Sequence, residues 1–359
     1  MPSAFFWRRS PSARPTSPSW PKSAPPPLTI SAPSSPPKRY ANCRGTFMKG
    51  LELSQKYYTE CGLPSLEKNC PDLLPKLAAG LVGDGSECFG FDDALSHDHD
   101  FEPGFCLWLT HEDYEKHGFA LERLYAKLPK EFKGFTRQPL SPVGGNRHGV
   151  LVIEDFYRKY LGTLHAPTSN EHWLALPSAS LAAATNGRVF HDGLGRFSET
   201  REALMRGYPR DVLLKKLAAH AVMLAQTGLY NYGRCIKRGE EGAAQLCVLE
   251  FVKHAISTVY LLNNRYEPFY KWAYRGMRDL PRLSSLEAPL TSLSTMGNSP
   301  DEAAAKAESM EEICLLFVEE YRALGYSTAN GTDIERHARA LQDGIKDITL
   351  RSLHIMAGI

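Results

Sequence analysis

The chain has 359 residues, of which 43% are apolar and 23% charged, with a formal net charge of +2. That length accommodates two ordinary domains, each able to bury its own core. The charge balance excludes a broad electrostatic footprint for nucleic acid. No apolar run reaches the roughly 18 residues a membrane span needs, so no membrane association is expected.

Residues 1–47 differ in kind from the rest. "SPSARPTSPSWPKSAPPPLTISAPSSPPKR" is saturated with proline, serine and alanine and cannot build a core. Arg8, Arg9 and the lack of acids before Met48 resemble a transit peptide, but so much proline opposes the amphipathic helix such peptides use. The expectation is a leader outside the fold, either a disordered tail or an over-extended translation start, with Met48 opening the patterned chain.

From Met48, "LELSQKYYTECGLPSLEKNCPDLLPKLAAGLVG" predicts a helix, a break at Pro64 and a second short helix running to Gly80. "LAAGLVGDGSE" also reads as a short strand entering a Gly-rich turn, and "DHDFEPGFCLWLT" as a strand interrupted at Pro103-Gly104. A helix over "HEDYEKHGFALERLYAKL" and a polar loop, "SPVGGNRHG", lead to a strand at "VLVIEDF". A helical stretch around "NEHWLALPSASLAAAT" stops at Asn186-Gly187, and "RVFHDG" is a further short strand. Elements alternating this way argue for an α/β or α+β layer over a bundle.

The texture changes after Gly207. "RDVLLKKLAAHAVMLAQTG" carries apolar residues at 213, 214, 217, 218, 221 and 224 and ends at Gly228. "EEGAAQLCVLEFVKHAISTVYLLNNRY" carries a stripe at 249, 252, 256 and 259, and the remainder is helical in pattern. The predicted organisation is an α+β domain over 48–207 followed by an all-helical domain over 208–359, with no internal repeat.

Cysteines at 43, 61, 70, 88, 106, 235, 247 and 314 include no Cys-x-x-Cys pair and match no zinc or dense disulfide spacing. Several sit in apolar runs, as buried thiols do. Reduced thiols suit a cytoplasmic chain.

The stretch "GDGSECFGFDDALSHDHDFEPGFCLWL" carries the chemistry. On a strand, Asp98 and Asp100 point to one face, where adjacent carboxylates repel unless a cation lies between them. Such oxygen ligands suit Mg²⁺ or Mn²⁺ bridging a substrate phosphate. Gly85-Ser86 on the preceding turn would supply backbone N–H groups and a hydroxyl to phosphate oxygens. Together these form the layout of phosphoryl or nucleotidyl transfer. His97 and His99 face the other way, so the four side chains cannot share one ion. A metal-dependent hydrolase using His97 or His99 on a transition metal is a separate reading.

Gly85-Ser86, eleven intervening residues, then Asp98-His99-Asp100-Phe101 resembles the polymerase-β-type nucleotidyltransferase superfamily. The run "GxDDxxSxDHDF", with "NGRVFHDGLG" and "YNYGRCIKRGE" downstream, is similar to an uncharacterised bacterial family of that fold carried as a domain of unknown function. The resemblance covers residues 48 to about 281. It implies a nucleotidyltransferase-type mixed sheet with flanking helices, followed by a helical substrate-side domain. It further implies a nucleoside monophosphate moved from an NTP to a small-molecule (or protein) acceptor, with Asp98 and Asp100 on the metal and Gly85 and Ser86 on the β,γ-phosphates.

The superfamily's third carboxylate lies on the next core strand, here "GVLVIEDF", where position 151 is Leu. Glu154, Asp155 and Asp192 stay open as substitutes, although Glu154 and Asp155 also suit a helix N-terminus and Asp192-Gly193 a turn. Lys253 stands where related enzymes hold the triphosphate with a lysine, and equally reads as a snorkelling surface residue. Tyr232 and Arg234 alternate aromatic and cation as a nucleotide contact does. Phe269, Trp272 and Tyr274, in the aromatic and basic "RYEPFYKWAYRGMRDLP", read at helical spacing as core more than as a ligand box. The absent acid at position 151 sustains an alternative, a non-catalytic nucleotide-binding or regulatory module on the same fold.

Overall fold

The computed structural model describes residues 48–93, 96, 101–137 and 147–359. Helix α1 (Gly50–Tyr57) runs through a π-helical turn, Tyr58–Gly62, into α2 (Leu63–Asn69). Pro64 therefore breaks nothing: it stands in the first turn of α2, where its missing N–H is no loss. The helix expected to reach Gly80 ends earlier, in a 3₁₀ stretch at Pro71–Lys76, and β1 occupies Ala78–Leu81. After the Gly-rich turn come α3 (Ser86–Phe89), β2 (Cys106–Leu109) and α4 (His111–Ala126). The Thr110 hydroxyl caps α4 by accepting from the Asp113 N–H. A small hairpin, β3 (Glu131–Phe132) and β4 (Phe135–Thr136), precedes β5 (Gly149–Val152). Then follow α5 (Ile153–Leu161), α6 (Asn170–Ala175), α7 (Ser178–Thr185) and β6 (Arg188–Asp192).

The main sheet is mixed, in the order β5-β2-β1-β6. Strand β1 is antiparallel to β2 and β6, whereas β2 and β5 run parallel with Trp108 opposite Leu151. Every residue of β1 and β2 is buried, which explains why both read as unbroken apolar runs rather than alternating ones.

From Arg196 onward every described element is helical. These are α8 (Arg196–Met205), α9 (Arg210–Leu224), a π-helical segment at Ala225–Tyr232, and α10 (Gly233–Lys237). Then come α11 (Glu241–Leu262), α12 (Tyr270–Met277), α13 (Glu287–Thr295), α14 (Pro300–Ala323), α15 (Ile334–Asp343) and α16 (Ile348–Ser352). The fold is α+β, a small mixed sheet joined to many helices. One apolar core runs from Ala78 and Trp108 in the sheet to Leu350 in α16, so packing is continuous across residue 207. A smaller cluster, built on Tyr57, Phe105, Leu121 and Tyr125, covers the sheet's other face. Helix α11 is long and apolar enough by composition to cross a membrane, but 61% of that stretch is buried against its neighbours.

Helix α9 carries two buried lysines that reach oxygens rather than acids. Lys215 Nζ donates to Gln342 Oε1 (2.9 Å) and to the carbonyls of Leu353 (3.0 Å) and His354 (2.8 Å). Lys216 Nζ donates to the carbonyls of Leu174 (3.2 Å) and Gly358 (3.1 Å), and burial pushes it down to about 8.

One helical turn further on, His220 Nδ1 lies 2.8 Å from His254 Nδ1 of α11. Burial, then each other's charge and nearby lysines, hold His220 well below its ordinary value. Burial, opposed by Glu250, brings His254 down to about 4. Both rings are therefore neutral in the fold, while in the unfolded chain each takes a proton near pH 6.5. Stability from this pair is complete above pH 6.5 and is lost as pH falls toward 4, by up to about 1.4 kcal/mol per pH unit per ring. Urea midpoints at pH 7.5 and 5.0 should differ less in His220→Gln/His254→Gln than in the wild type. An unchanged difference would show that the rings titrate normally.

Candidate functional site

The turn after β1 is shaped by long-range contacts. Gly83 has φ 137°, a conformation that L side chains rarely adopt. Its N–H donates to Asn186 Oδ1 (2.9 Å), and its carbonyl accepts from Asn186 Nδ2 (2.6 Å). One side-chain amide thus replaces a neighbouring strand's peptide. Asn186 is placed by Gly187, which has φ 62°, and a Cβ on Gly187 would lie 1.9 Å from the Leu81 carbonyl oxygen. The Gly187 N–H donates to the Cys88 carbonyl at 2.7 Å, tying the same pair to α3. Arg201 Nη2 closes the back by donating to the carbonyls of Thr185 (2.7 Å) and Asn186 (2.9 Å).

Beyond this pinned turn, Gly85 and Ser86 open a cleft of about 860 Å³. Glu87 folds back over Gly85 and meets Arg147 Nη2 at 3.2 Å; a Cβ on Gly85 would fall 2.0 Å from the Glu87 carboxylate. Leu151 of β5 and Asp155, Lys159 and Tyr160 of α5 form one wall. Lys159 Nζ pairs with Asp84 at 2.5 Å and stands 4.8 Å from the Tyr160 ring centre. Burial, reinforced by Asp84, raises the Tyr160 phenol, so it stays protonated at ordinary pH. Asp155 is mostly exposed and pairs with Arg158 at 2.8 Å. Lys271 and Trp272 of α12 also line the cleft.

The residues just before position 94 are anchored twice. The Asp92 carboxylate is buried and accepts from the Gly50 N–H at 2.7 Å, with Lys49 Nζ 3.6 Å away. Asp93 meets Arg275 at 3.6 Å, and the Phe91 ring packs on Trp272 at 5.6 Å between ring centres.

Of the residues singled out in the sequence, Gly85 and Ser86 line this cleft. Asp98 and Asp100, with His97 and His99, lie outside the described residues. Glu154 points elsewhere: its carboxylate accepts from the His111 N–H at 3.0 Å, at the start of α4. Asp155, one position on, is the α5 acid in the cleft wall. Asp192 accepts from the N–H groups of Gly195 (2.9 Å) and Ser198 (2.7 Å), holding the turn into α8. Lys253 pairs with Glu250 at 3.2 Å on the exposed face of α11. Tyr232 is buried with its hydroxyl on Asn298 Oδ1 (3.2 Å), and Arg234 is exposed on α10. "YNYGRCIKRGE" is helical over most of its length. None of Glu154, Asp192, Lys253, Tyr232 and Arg234 lines the cleft, whereas Arg147, Lys159 and Lys271, singled out by no motif, do, and so does Trp272, which read as core.

Among the described residues no three His, Cys, Asp or Glu side chains gather as a metal-ligand group. Of the acids lining the cleft, Asp84, Glu87 and Asp155 are engaged with Lys159, Arg147 and Arg158, and Glu122 accepts from the Tyr114 hydroxyl at 2.6 Å. The described acids alone therefore do not fit a divalent-ion site.

Residues 173–273 match a family model described as Domain of unknown function (DUF4037). No curated protein and no solved structure matches the chain. The matched span contains Asn186 and Gly187, which pin the turn, and Lys271 and Trp272, which line the cleft.

Proposed function

We propose that this chain is a metal-dependent nucleotidyltransferase of the polymerase-β type, moving a nucleoside monophosphate from an NTP to a small-molecule (or protein) acceptor in the cytoplasm. The observation that carries the reading is the pinned Gly83–Ser86 turn at the end of a central strand, opening into a cleft large enough for a nucleotide. Ligand pockets commonly run from about 300 to 1,000 Å³, and this one falls inside that range. Two further features support it. Strand β2 lies between antiparallel β1 and parallel β5, so the strand after Asp98-His99-Asp100-Phe101 is next to the one bearing the turn. Every described cysteine is a free thiol, which agrees with a reducing compartment.

In this reading the Gly85 and Ser86 amides and the Ser86 hydroxyl take the β,γ-phosphate oxygens, while Lys159 and Arg147 neutralise charge at the turn. The acceptor hydroxyl oxygen bonds to the α-phosphorus, the bond to the bridging oxygen breaks, and pyrophosphate leaves. Asp155 takes the hydroxyl proton. Magnesium or manganese, assigned to Asp98 and Asp100, would stabilise charge on the phosphates when bound.

A second reading, a nucleotide-binding module without turnover, is favoured by one observation. Leu151 faces the cleft from β5, on the strand where the resemblance implies an acid. Pyrophosphate release from each of the four NTPs, with Mg²⁺ or Mn²⁺ and pooled metabolites as acceptor, tests both. Release by the wild type and not by Asp98→Asn/Asp100→Asn is the expected result. NTP binding without release would select the second reading, and no NTP binding at all would overturn both.

A further inference from the structure

The part of the cleft lining that α12 supplies has a feature the phosphate turn does not explain. Three cations line the cleft: Arg147, Lys159 and Lys271. Arg147 meets Glu87 and Lys159 meets Asp84, but Lys271 pairs with no carboxylate among the described residues. Instead its Nζ lies 5.3 Å from the centre of the adjacent Trp272 ring. Trp272 was expected in the core, yet it is only half-buried and lines the cleft.

Its outward position is set by packing behind it. Phe91 stacks on Phe89 (5.7 Å, 11° between planes) and leans on Trp272 at 43°. Gly276, one turn along α12, leaves room for this: a Cβ there would come within 3.2 Å of Phe91. Arg275 lies 5.5 Å from the Phe91 ring centre, bracing the other side. The indole is therefore backed by the Phe91 ring and lines the cleft, beside an ammonium group that meets no carboxylate among the described residues. A half-open aromatic face can stack a neutral base, and a cation close by can take the negative charge of the attached phosphates.

We propose that Trp272 and Lys271 form the nucleoside end of the cleft, with the base stacked on the indole and Lys271 beside its phosphates. The ligand class is a purine nucleoside triphosphate, because two fused rings cover more of the indole than one. This rests on the nucleotide reading above, and assigns nucleotide preference to α12 rather than to Tyr232 or Arg234.

The test is calorimetric titration of the full chain, with Mg²⁺, against ATP, CTP and inorganic tripolyphosphate. The wild type should bind ATP more tightly than CTP, and both more tightly than tripolyphosphate. Trp272→Ala should weaken ATP by about tenfold to hundredfold, the usual loss when a stacking aromatic is truncated, and abolish the preference over CTP. Tripolyphosphate binding should not move. Trp272→Tyr, which keeps an aromatic face against Phe91, should recover most of the ATP affinity, separating stacking from a packing defect. Equal loss of ATP and tripolyphosphate in Trp272→Ala, or no loss of either, would overturn the subsite. So would a wild type that binds ATP no better than tripolyphosphate, with the nucleotide reading left standing. A wild type that binds none of the three overturns that reading and this subsite together.

Discussion

Replacing Gly187 with alanine is expected to lower stability by about 2–5 kcal/mol, the combined range for left-handed backbone strain and overpacking. The backbone term comes from φ 62°, which alanine adopts only at a cost. The packing term is larger, because the new Cβ would lie 1.9 Å from the Leu81 carbonyl oxygen and 2.9 Å from its carbon. Those are main-chain atoms of β1, so no side-chain rotation relieves the clash. Either the β1–β6 pairing opens or Asn186 is carried away from Gly83. A urea titration of Gly187→Ala beside the wild type reads the loss directly. Asn186→Ala is the companion, since it removes both hydrogen bonds to Gly83 and leaves Gly187 in place. A smaller stability loss there, with ligand binding at the turn weakened as much as in Gly187→Ala, would assign the functional part to the pin itself. A Gly187→Ala midpoint equal to the wild type would mean that the close approach of β1 and β6 is wrong.

The second large effect is expected at Trp108. Its side chain is fully buried in β2, stacked on Phe197 at 4.2 Å and edge-on to Phe156 at 5.6 Å. Truncation to alanine should cost about 3–5 kcal/mol, the range for a buried aromatic that leaves a cavity. Trp108→Phe should cost much less, for two reasons. It keeps an aromatic ring against Phe197, and it removes a buried indole N–H that has no acceptor among the described residues. Because Phe156 also lines the cleft, Trp108→Ala should disturb ligand binding, whereas Trp108→Phe should spare it. Denaturant midpoints give the first comparison and binding titrations the second. Equal losses in the two variants would show that ring packing does not govern this site.

Local pattern was enough for much of the architecture. The strand at Ala78–Leu81, the Gly-rich turn after it, the strand at Cys106–Leu109 and the all-helical second half follow from apolar periodicity and turn residues, which act over a few positions. The site was less legible, because its parts meet over long separations. Asn186-Gly187 was read as a helix stop, which it is, but nothing local says that its amide serves Gly83, 103 residues away. Glu154 and Asp155 look alike in the sequence. Only the rotation of α5 against β5 sends one carboxylate to the His111 N–H and the other to the cleft wall. Lys253 stands where related enzymes hold the triphosphate and equally reads as a snorkelling residue; in the fold it pairs with Glu250, three residues back, on an exposed face outside the cleft. Trp272 failed the other way: helical spacing marks a side chain as inward-facing, and here the inward direction is an open cleft.

The Asn186-Gly187 pair has a chemical consequence as well as a geometric one. Asn-Gly is the dipeptide in which the amide side chain most readily cyclises onto the following backbone nitrogen, losing ammonia and ageing to aspartate or isoaspartate. That reaction needs a free glycine nitrogen and a side chain that can swing back over it. In the folded chain the Gly187 nitrogen is committed to Cys88, and the Asn186 amide is gripped at both ends by Gly83. Folding therefore shelters the Asn186-Gly187 bond, unlike the second Asn-Gly pair, Asn330-Gly331, which is exposed. A molecule that ages while unfolded would carry at position 186 a carboxylate facing the Gly83 carbonyl, where an N–H should donate, and would no longer close the turn.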